Sequence, residues 1–242
     1  PLEEHVLLYD GEELVGAKQN RILNVSVLCA AKASLTIPVS CVEEGRWRDV
    51  SASFAVAPHN AHPELRRRKA EALAAQPLAR GLAQGEVWDT VREKAARMGV
   101  RSPTTANADI FDRYRRDIRA LEEAFPAQPG QCGAVFALGD SVCLDYVSRP
   151  DAFVLLWPKL RAGYMLDALE RLDGKPTPSE RVTQFIDDIA AAAVTRGPSV
   201  GIGEDVRLRG ARVIGSGLEL KGELFQLCAF TSEDSGARAF GR

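Results

Sequence analysis

The sequence has no excess of basic charge. Its 31 Lys and Arg residues are balanced by 33 Asp and Glu residues, which gives a formal net charge of −2. Broad nucleic-acid binding usually requires a marked basic excess, so we do not expect it here. The chain also lacks an apolar run near the roughly 20 residues that cross a bilayer, and no signal peptide is visible. We therefore expect no membrane association.

Cysteine and histidine are scarce as well. The five cysteines are odd in number, widely spaced and mostly set in apolar segments, which predicts reduced core thiols in a cytoplasmic protein. Of the three histidines, His59 and His62 lie in a predicted loop before a helix. Two ligands do not complete a metal site. The pattern favours a structural loop, and a metal site would need carboxylates from elsewhere in the chain, so we expect none.

What the sequence does contain is enough apolar material for a substantial core, with 45% hydrophobic residues in 242. The first part predicts β-structure. Val6–Tyr9 runs into Asp10-Gly11, a strong hairpin signal. Ile22–Cys29 and Ser34–Val42 alternate apolar and polar residues with the period of a strand that has one buried face.

The middle of the chain predicts helices and the end returns to strands. The order of these segments is typical of a single α+β domain, with an antiparallel sheet flanked by helices and strands at both ends of the chain. We expect this domain to span 1–231, with 232–242 as a polar, frayed tail, and the start at Pro1 suggests native residues upstream. The expected helices are Glu64–Ala75, Glu86–Met98, Asp109–Phe125, Asp151–Leu172 and Ser179–Val194; the expected strands are Ala134–Leu138, Val142–Tyr146, Val206–Leu208, Ala211–Ile214 and Leu218–Phe230.

Two dense polar runs are attached to these apolar strands, Gly16–Arg21 and Cys41–Trp47. Pairing the strands with both apolar faces inward requires residues of equal parity to face each other. A register with Val27 opposite Ile37 would set Arg21 opposite Glu43, although a slip of two residues fits the pattern equally well. Either way, the two polar runs are expected to meet at one end of the sheet.

The polar runs offer several kinds of chemistry. Lys18 and Arg21 suit phosphate or carboxylate groups, while Gln19 and Asn20 suit a base or ribose edge. Alternatively, the run is a solvated strand end with an Arg21–Glu43 ion pair. Trp47 could stack on a ring, although a half-buried anchor is the commoner role for Trp. The parity of Cys41 predicts a core thiol rather than a nucleophile.

Other clusters carry weaker signals. The run Arg66–Lys69 could meet phosphates, but flanking acidic residues favour a solvated helix face. Asp145 interrupts an apolar strand, so it either points into a cleft or marks a strand end. The glycines in 200–203 lack the strand–turn–helix setting of a dinucleotide loop.

Several of these motifs together resemble the ARPP-1 domain, the ADP-ribosylglycohydrolase- and rhodanese-phosphatase-associated protein domain. The resemblance covers about residues 6–230. It is carried by Gly11–Arg21, Ile37–Glu43, Gly45-Arg46-Trp47, Gln84–Trp88, Gly133–Leu138, Leu144-Asp145, Leu156–Leu160 and Tyr164–Leu169.

The resemblance implies a ligand class rather than a mechanism, namely ADP-ribose or another phosphorylated nucleotide derived from NAD. Lys18, Arg21 and Arg46 then suit its phosphates, Gln19, Asn20 and Glu44 its ribose or base, and Trp47 a ring face, with Glu43 beside them. If the reaction is hydrolytic, Glu44 is the candidate general base. We thus expect a cytoplasmic protein that binds or processes such a nucleotide; the alternative is a non-catalytic protein-interaction module. Enzymatic activity, cofactors and oligomeric state stay unassigned.

Overall fold

The computed structural model describes residues 4–75, 84–172 and 174–232, within which the chain forms six helices and twelve strands. Strands lie at both ends and helices mainly in the middle, so the expected α+β class with antiparallel sheets is confirmed. None of the described helices is long and apolar enough to cross a membrane. The helices are α1 (Pro63–Ala75), α2 (Gln84–Arg97), α3 (Asn107–Arg113), α4 (Arg115–Glu122), α5 (Pro150–Leu169) and α6 (Ser179–Ala191).

The second half of the chain forms a six-stranded antiparallel sheet. The predicted hairpin is confirmed as its first two strands, and the segment predicted as the end of the last helix is instead an edge strand beginning at Ala193. In spatial order the strands are β7 (Gly133–Leu138), β8 (Ser141–Val147), β12 (Glu223–Thr231), β11 (Val213–Leu220), β10 (Glu204–Arg209) and β9 (Ala193–Pro198).

The first part of the chain forms two smaller antiparallel sheets. One has four strands in the order β5 (Val39–Cys41), β3 (Arg21–Leu23), β2 (Glu12–Gly16) and β6 (Phe54–Asn60), and the other pairs β1 (Val6–Leu8) with β4 (Val27–Cys29).

The hairpin expected at Asp10-Gly11 does not form, although the turn does. The Glu12 amide donates to the Tyr9 carbonyl at 3.0 Å, but β1 then pairs with β4 rather than with β2. The strand expected over Ile22–Cys29 is also divided, because the chain bends after β3. The Ser40 hydroxyl holds Asn24 at this bend with a 2.8 Å hydrogen bond, and the Ser26 hydroxyl accepts one from the Asp10 amide at 2.9 Å. These polar side chains therefore redirect the strand instead of facing solvent along it.

Strand β3 pairs with β5 in the second of the two expected registers, which is shifted by two residues from the one with Arg21 opposite Glu43. Arg21 faces Cys41 and Leu23 faces Val39. The Arg21–Glu43 pairing is therefore wrong. The same shift sets Gln19 near Glu43, so the two polar runs still meet.

Helix α1 carries an unexpected burial pattern. The expectation of a solvated face over Arg66–Lys69 is wrong for Arg66 and Lys69, which are fully buried, whereas Arg67 and Arg68 are half-buried. Residues three apart share one face of a helix, and this face of α1 packs against the six-stranded sheet. Burying these two cations requires partners within the core.

Helix α5 crosses the end of β6 closely. A Cβ atom on Gly163 would lie 3.1 Å from the Asn60 carbonyl oxygen and 3.2 Å from that of Ala61. Glycine therefore allows the helix to approach the backbone just before α1. This contact places Asp167, one turn further along α5, beside the start of α1. The helix expected over Asp109–Phe125 is divided into α3 and α4 at Tyr114.

Candidate functional site: a strand-end corner, buried charge clusters and a pocket

The strand-end corner, defined here as residues 16–21 and 43–47, is organised around Glu43. Its carboxylate accepts the Asn20 amide at 3.1 Å and the Thr104 hydroxyl at 2.9 Å, and it forms an ion pair with Arg46 at 2.6 Å. Burial alone would raise the pKa of Glu43, but the Arg46 guanidinium and these hydrogen bonds hold it below its ordinary value. Glu43 is thus an ionised structural centre of the corner.

The other inner side chains of the corner bind one another. The Gln19 amide donates to the Glu43 carbonyl at 2.9 Å, and Arg46 donates to the Asn20 side chain at 3.0 Å. Gly45 is required because a Cβ there would lie 2.9 Å from the Cα of Thr104. The inner polar groups of the corner therefore already have partners, consistent with a role in fixing the strand ends.

The remaining predicted site residues are exposed or half-buried. Lys18 is exposed, and Trp47 is 70% exposed, so the half-buried anchor expected for this Trp is not observed. The Glu44 carboxylate pairs with Arg92 at 2.8 Å on the surface. Arg21 donates to the Cys41 sulfur at 3.2 Å, and Cys41 is buried as expected. The structure thus places the outer residues on an open face and the inner ones in a closed network.

A second cluster is centred on Asp145, which is fully buried. Arg66 binds its carboxylate with two hydrogen bonds of 2.9 and 2.6 Å, and the hydroxyls of Tyr9 and Tyr164 also donate to it. Burial would raise the pKa of Asp145, but the Arg66 guanidinium and both hydroxyls lower it. Burial and the Asp145 charge raise the pKa of both tyrosines well above its ordinary value. Of the two readings of Asp145, a strand-end position is ruled out; the carboxylate points inward.

Asp10 extends this cluster to Lys69. The Lys69 ammonium lies 2.8 Å from the Asp10 carboxylate and donates to the Leu23 carbonyl at 2.7 Å, while Arg66 reaches Asp10 at 3.3 Å. Burial lowers the pKa of Lys69, and the Asp10 carboxylate opposes that shift. Two buried carboxylates are thus matched by two buried cations. These balanced charges hold α1 both to Asp10 in the first part of the chain and to Asp145 in the six-stranded sheet.

A third buried group joins β2, β6 and α3. The Glu13 carboxylate contacts His59 at 3.0 Å and accepts the Asn107 amide at 2.7 Å, and the His59 ring stacks on Phe111 with 3.7 Å between ring centres. His59 therefore has a structural role, but it lies in strand β6 rather than in the predicted loop, whereas His62 belongs to a different cluster.

That fourth cluster, the Asp167 cluster, contains His62, Glu64, Lys94, Arg97, Asp167 and Glu170. Asp167 accepts the Lys94 ammonium at 2.7 Å and the Glu64 backbone amide at 3.0 Å. Burial would raise the pKa of Asp167, but the charges of His62 and Lys94 hold it far below its ordinary value. Asp167 also satisfies an amide at the start of α1, where a helix leaves N–H groups without partners.

The Asp167 cluster forms one wall of a pocket. The enclosed part of the pocket has a cavity volume of about 40 Å³, and the rest of the recess is open to solvent. Carboxylates from Glu64, Asp167 and Glu170, guanidinium groups from Arg67 and Arg171, and aromatic rings from Phe136 and Phe230 all line it. Among the described residues a larger but more open depression lies near Gly99–Pro103 and α3, and its charged side chains are not buried. The pocket that we call the Asp167 pocket is therefore the better candidate for a ligand site.

Sequence reasoning found only part of this site. His62 stood out through its spacing from His59, but Asp167 lies in the predicted amphipathic helix and Lys94 in another. The one available signal was Asp167 itself, an acidic residue inside the apolar run Tyr164–Leu169. It indicates a buried carboxylate without naming its partners, which come from 73 and 105 residues earlier in the chain.

Comparison with known proteins agrees with the resemblance carried by the polar motifs. No curated protein and no solved structure shows a significant match to the chain. The family described as "ARG and Rhodanese-Phosphatase-superfamily-associated Protein domain" matches residues 1–230. Its name records association with the ADP-ribosylglycohydrolase and rhodanese-phosphatase superfamilies. Because the match spans nearly the whole chain, the protein belongs to the ARPP-1 domain family.

Proposed function

We propose that this protein binds a phosphorylated nucleotide of the ADP-ribose class in the Asp167 pocket. The observation that carries the proposal is the lining of this pocket, which combines guanidinium groups, carboxylates and aromatic rings around one concave space. Binding sites of this kind are concave and mostly apolar, with a few convergent polar groups. The family's association with ADP-ribose-processing enzymes supports the same ligand class.

Each chemical part of such a ligand has a counterpart in the lining. Arg67 and Arg171 offer planar donors that suit phosphate oxygens. Glu170 and Glu64 offer acceptors for ribose hydroxyls. Phe230 and Phe136 offer apolar surface for a base. The proposal concerns binding, and it leaves open whether a reaction follows.

The strand-end corner is a second position for the same ligand. Trp47 is the observation that favours it, because its ring is 70% exposed and it follows Arg46, which donates to the Ala17 carbonyl next to the exposed Lys18 at 2.7 Å. An exposed indole stacks on a base, and Lys18 suits a phosphate. In this arrangement Gln19, Asn20, Arg21, Glu43 and Arg46 hold the corner in shape, and Glu44 is the candidate base, released from Arg92.

The alternative function is a non-catalytic interaction module. Exposed apolar side chains on strand β6 favour it, since Phe54 and Val56 are exposed on an edge of the four-stranded sheet. An unpaired edge is a template for pairing with another chain, and the partner we propose is a second copy. Sedimentation at rising concentration tests this, with Phe54→Lys expected to remain monomeric.

We also propose a cytoplasmic location. All five cysteines are free, and Cys143 and Cys228 are buried. Reduced thiols that do not form bridges are typical of a reducing compartment.

Calorimetric titration with ADP-ribose, NAD and AMP tests the binding proposal. We expect heat with ADP-ribose and an affinity about tenfold lower in Arg171→Ala, because a charge-assisted hydrogen bond contributes about 1.5–3 kcal/mol. The matched control is Arg212→Ala, which removes an exposed Arg that pairs with Asp188 and does not line the pocket. Loss of binding in Lys18→Ala and Trp47→Ala, but not in Arg171→Ala, would move the site to the corner. No heat with any ligand would reject the proposal and favour the interaction module.

A further inference from the structure

Three side chains of the Asp167 cluster bring potential metal ligands together. His62 lies just before α1, Glu64 is in its first turn, and Asp167 comes from α5. One ligand atom from each lies within 4.8 Å of the others. Ligand atoms bound to one ion at about 2.0–2.2 Å lie roughly 3–4 Å apart, so a small closing movement would bring these atoms to coordinating distance.

The state of His62 is an independent observation. Its side chain is fully buried, and neither ring nitrogen has a hydrogen-bond partner among the described residues. Nδ1 lies 2.8 Å from the Asp167 carboxylate, but the contact does not have the direction of a hydrogen bond. Burying a polar atom without a hydrogen-bond partner is unfavourable. Nδ1 and the Asp167 oxygen are close enough to be two ligands of one ion, and Nε2 has neither a hydrogen bond nor an ion pair among the described residues.

The cluster already holds positive charge at this place. Lys94 lies 2.7 Å from Asp167 and 3.9 Å from Glu64, and it also contacts Glu170. Arg97 pairs with Glu64 at 2.6 Å and with Glu170. Three carboxylates thus face two cationic side chains. Glu170 offers an alternative partner for the Lys94 ammonium if another cation takes its place at Asp167.

We propose that His62, Glu64 and Asp167 form a binding site for a divalent metal ion, with Lys94 as the cation that the metal displaces. A set of one imidazole and two carboxylates suits Zn²⁺ or Mn²⁺ better than an all-oxygen cation such as Ca²⁺. Two of the three ligands, Glu64 and Asp167, also line the Asp167 pocket, so under the proposed function the ion would lie next to a bound phosphate. Metal binding itself does not depend on the proposed nucleotide function, since it is measured with the metal alone.

The test is calorimetric titration of the chelator-treated protein with ZnCl₂ and with MnCl₂. We expect one equivalent of one of these metals to bind, and Glu64→Gln to weaken that binding by about 10–100-fold, the scale on which metal sites respond to lost ligand support. The matched control is Glu71→Gln on the same helix, whose carboxylate pairs with Arg67 instead, and it should bind like the wild type. No binding by the folded wild-type protein, or equal effects of the two substitutions, would overturn the proposal.

Lys94→Met provides a second test, in which the substitution should increase rather than decrease the effect of the metal. Removing the competing ammonium should lower the stability of the metal-free protein, because Asp167 and Glu170 lose their buried partner. The metal should then raise the melting temperature more in this variant than in the wild type, because binding to the folded state alone stabilises it. An equal or smaller metal-induced rise would show that Lys94 does not occupy the metal's position and would contradict the proposal.

Discussion

Asp145 receives the guanidinium of Arg66 and the hydroxyls of Tyr9 and Tyr164, all within the core. Removing one partner of such a buried pair leaves a charge without compensation and costs about 3–5 kcal/mol, whereas replacing both by apolar groups costs far less. The energetic role of Asp145 therefore lies in its match with Arg66. By the same reasoning, removing Asp145 alone would leave the buried Arg66 on α1 without its main partner.

We predict that Asp145→Leu and Arg66→Met each lower the free energy of unfolding by about 3–5 kcal/mol. The double variant should lose clearly less than the sum of the two losses. Urea unfolding of the four proteins measures this coupling. The exposed pair Asp188 and Arg212, treated in the same way, should show little or no coupling because water screens it. Additive losses at Asp145 and Arg66 would show that the pair is not coupled.

At the scale of elements, the crossing of α5 over the end of β6 holds the site together. Gly163 allows the contact, and the Glu64 amide at the start of α1 binds Asp167 on α5 at 3.0 Å. The pocket wall thus depends on a helix–strand distance that a single methyl group would disturb. A helix elsewhere in the chain does not carry this constraint, since a Cβ on Gly85 in α2 would meet nothing within 4 Å.

We predict that Gly163→Val destabilises the protein by about 1–3 kcal/mol, because added volume in a packed contact forces the backbone apart. Gly85→Ala should be neutral or stabilising by up to about 1 kcal/mol, since alanine favours a helix over glycine. Thermal unfolding of both variants gives the comparison. A Gly163→Val protein as stable as the wild type would mean that α5 and β6 do not pack as closely as the structure indicates.

The elements also show what the sequence could predict. Local signals were sufficient for the hairpin near Gly139 and for most of α1 and α2, because turn residues and helix patterns act over a few positions. The partner of each strand could not be predicted in the same way. The alternation of apolar and polar residues is compatible with Val27 in either small sheet, and it is the bend at Asn24 that decides which sheet Val27 joins. The burial of charged side chains was the hardest feature to predict. Arg66 appeared solvated because its partner, Asp145, lies 79 residues away.

The candidate site was also only partly predictable from the sequence. The meeting of the two polar runs followed from strand parity, which fixes faces but leaves slips of two residues open. The Asp167 pocket could not be predicted in this way. His62, Lys94 and Asp167 come from separate segments of the chain, and no local sequence pattern indicates how these segments pack together. The predicted frayed tail comprises 232–242, and all of it after Ser232 lies outside the described residues, so this prediction is left for solution measurements.

At the scale of the whole molecule, buried carboxylates tie stability to pH. Asp145 and Asp167 have pKa values below the ordinary 3.8, each because of cationic partners that outweigh burial. The unfolded chain therefore binds protons at a higher pH than the folded one. This contribution is fully present above the ordinary pKa and is lost as the pH falls through 3.8 towards the lower folded values.

We predict that the free energy of unfolding stays nearly constant above pH 5 with respect to these two groups and then decreases with falling pH. Each carboxylate adds a slope of up to about 1.4 kcal/mol per pH unit. Urea unfolding between pH 6 and pH 3 measures the total. In the Arg66→Met/Asp145→Leu double variant, the decrease in the free energy of unfolding with falling pH should be less steep, by the contribution of up to one titrating carboxylate, about 1.4 kcal/mol per pH unit. An identical slope in that variant would contradict the folded-state pKa of Asp145.

The central claim is that an ADP-ribose-class ligand occupies the Asp167 pocket, and hydrogen exchange followed by mass spectrometry tests it most directly. Exchange of backbone amides reports local opening along the whole chain. With saturating ADP-ribose, we predict slower exchange in peptides covering 63–67, 136–143 and 167–171, which line the pocket. Slower exchange confined to 16–21 and 43–47, or no change anywhere, would contradict the claim.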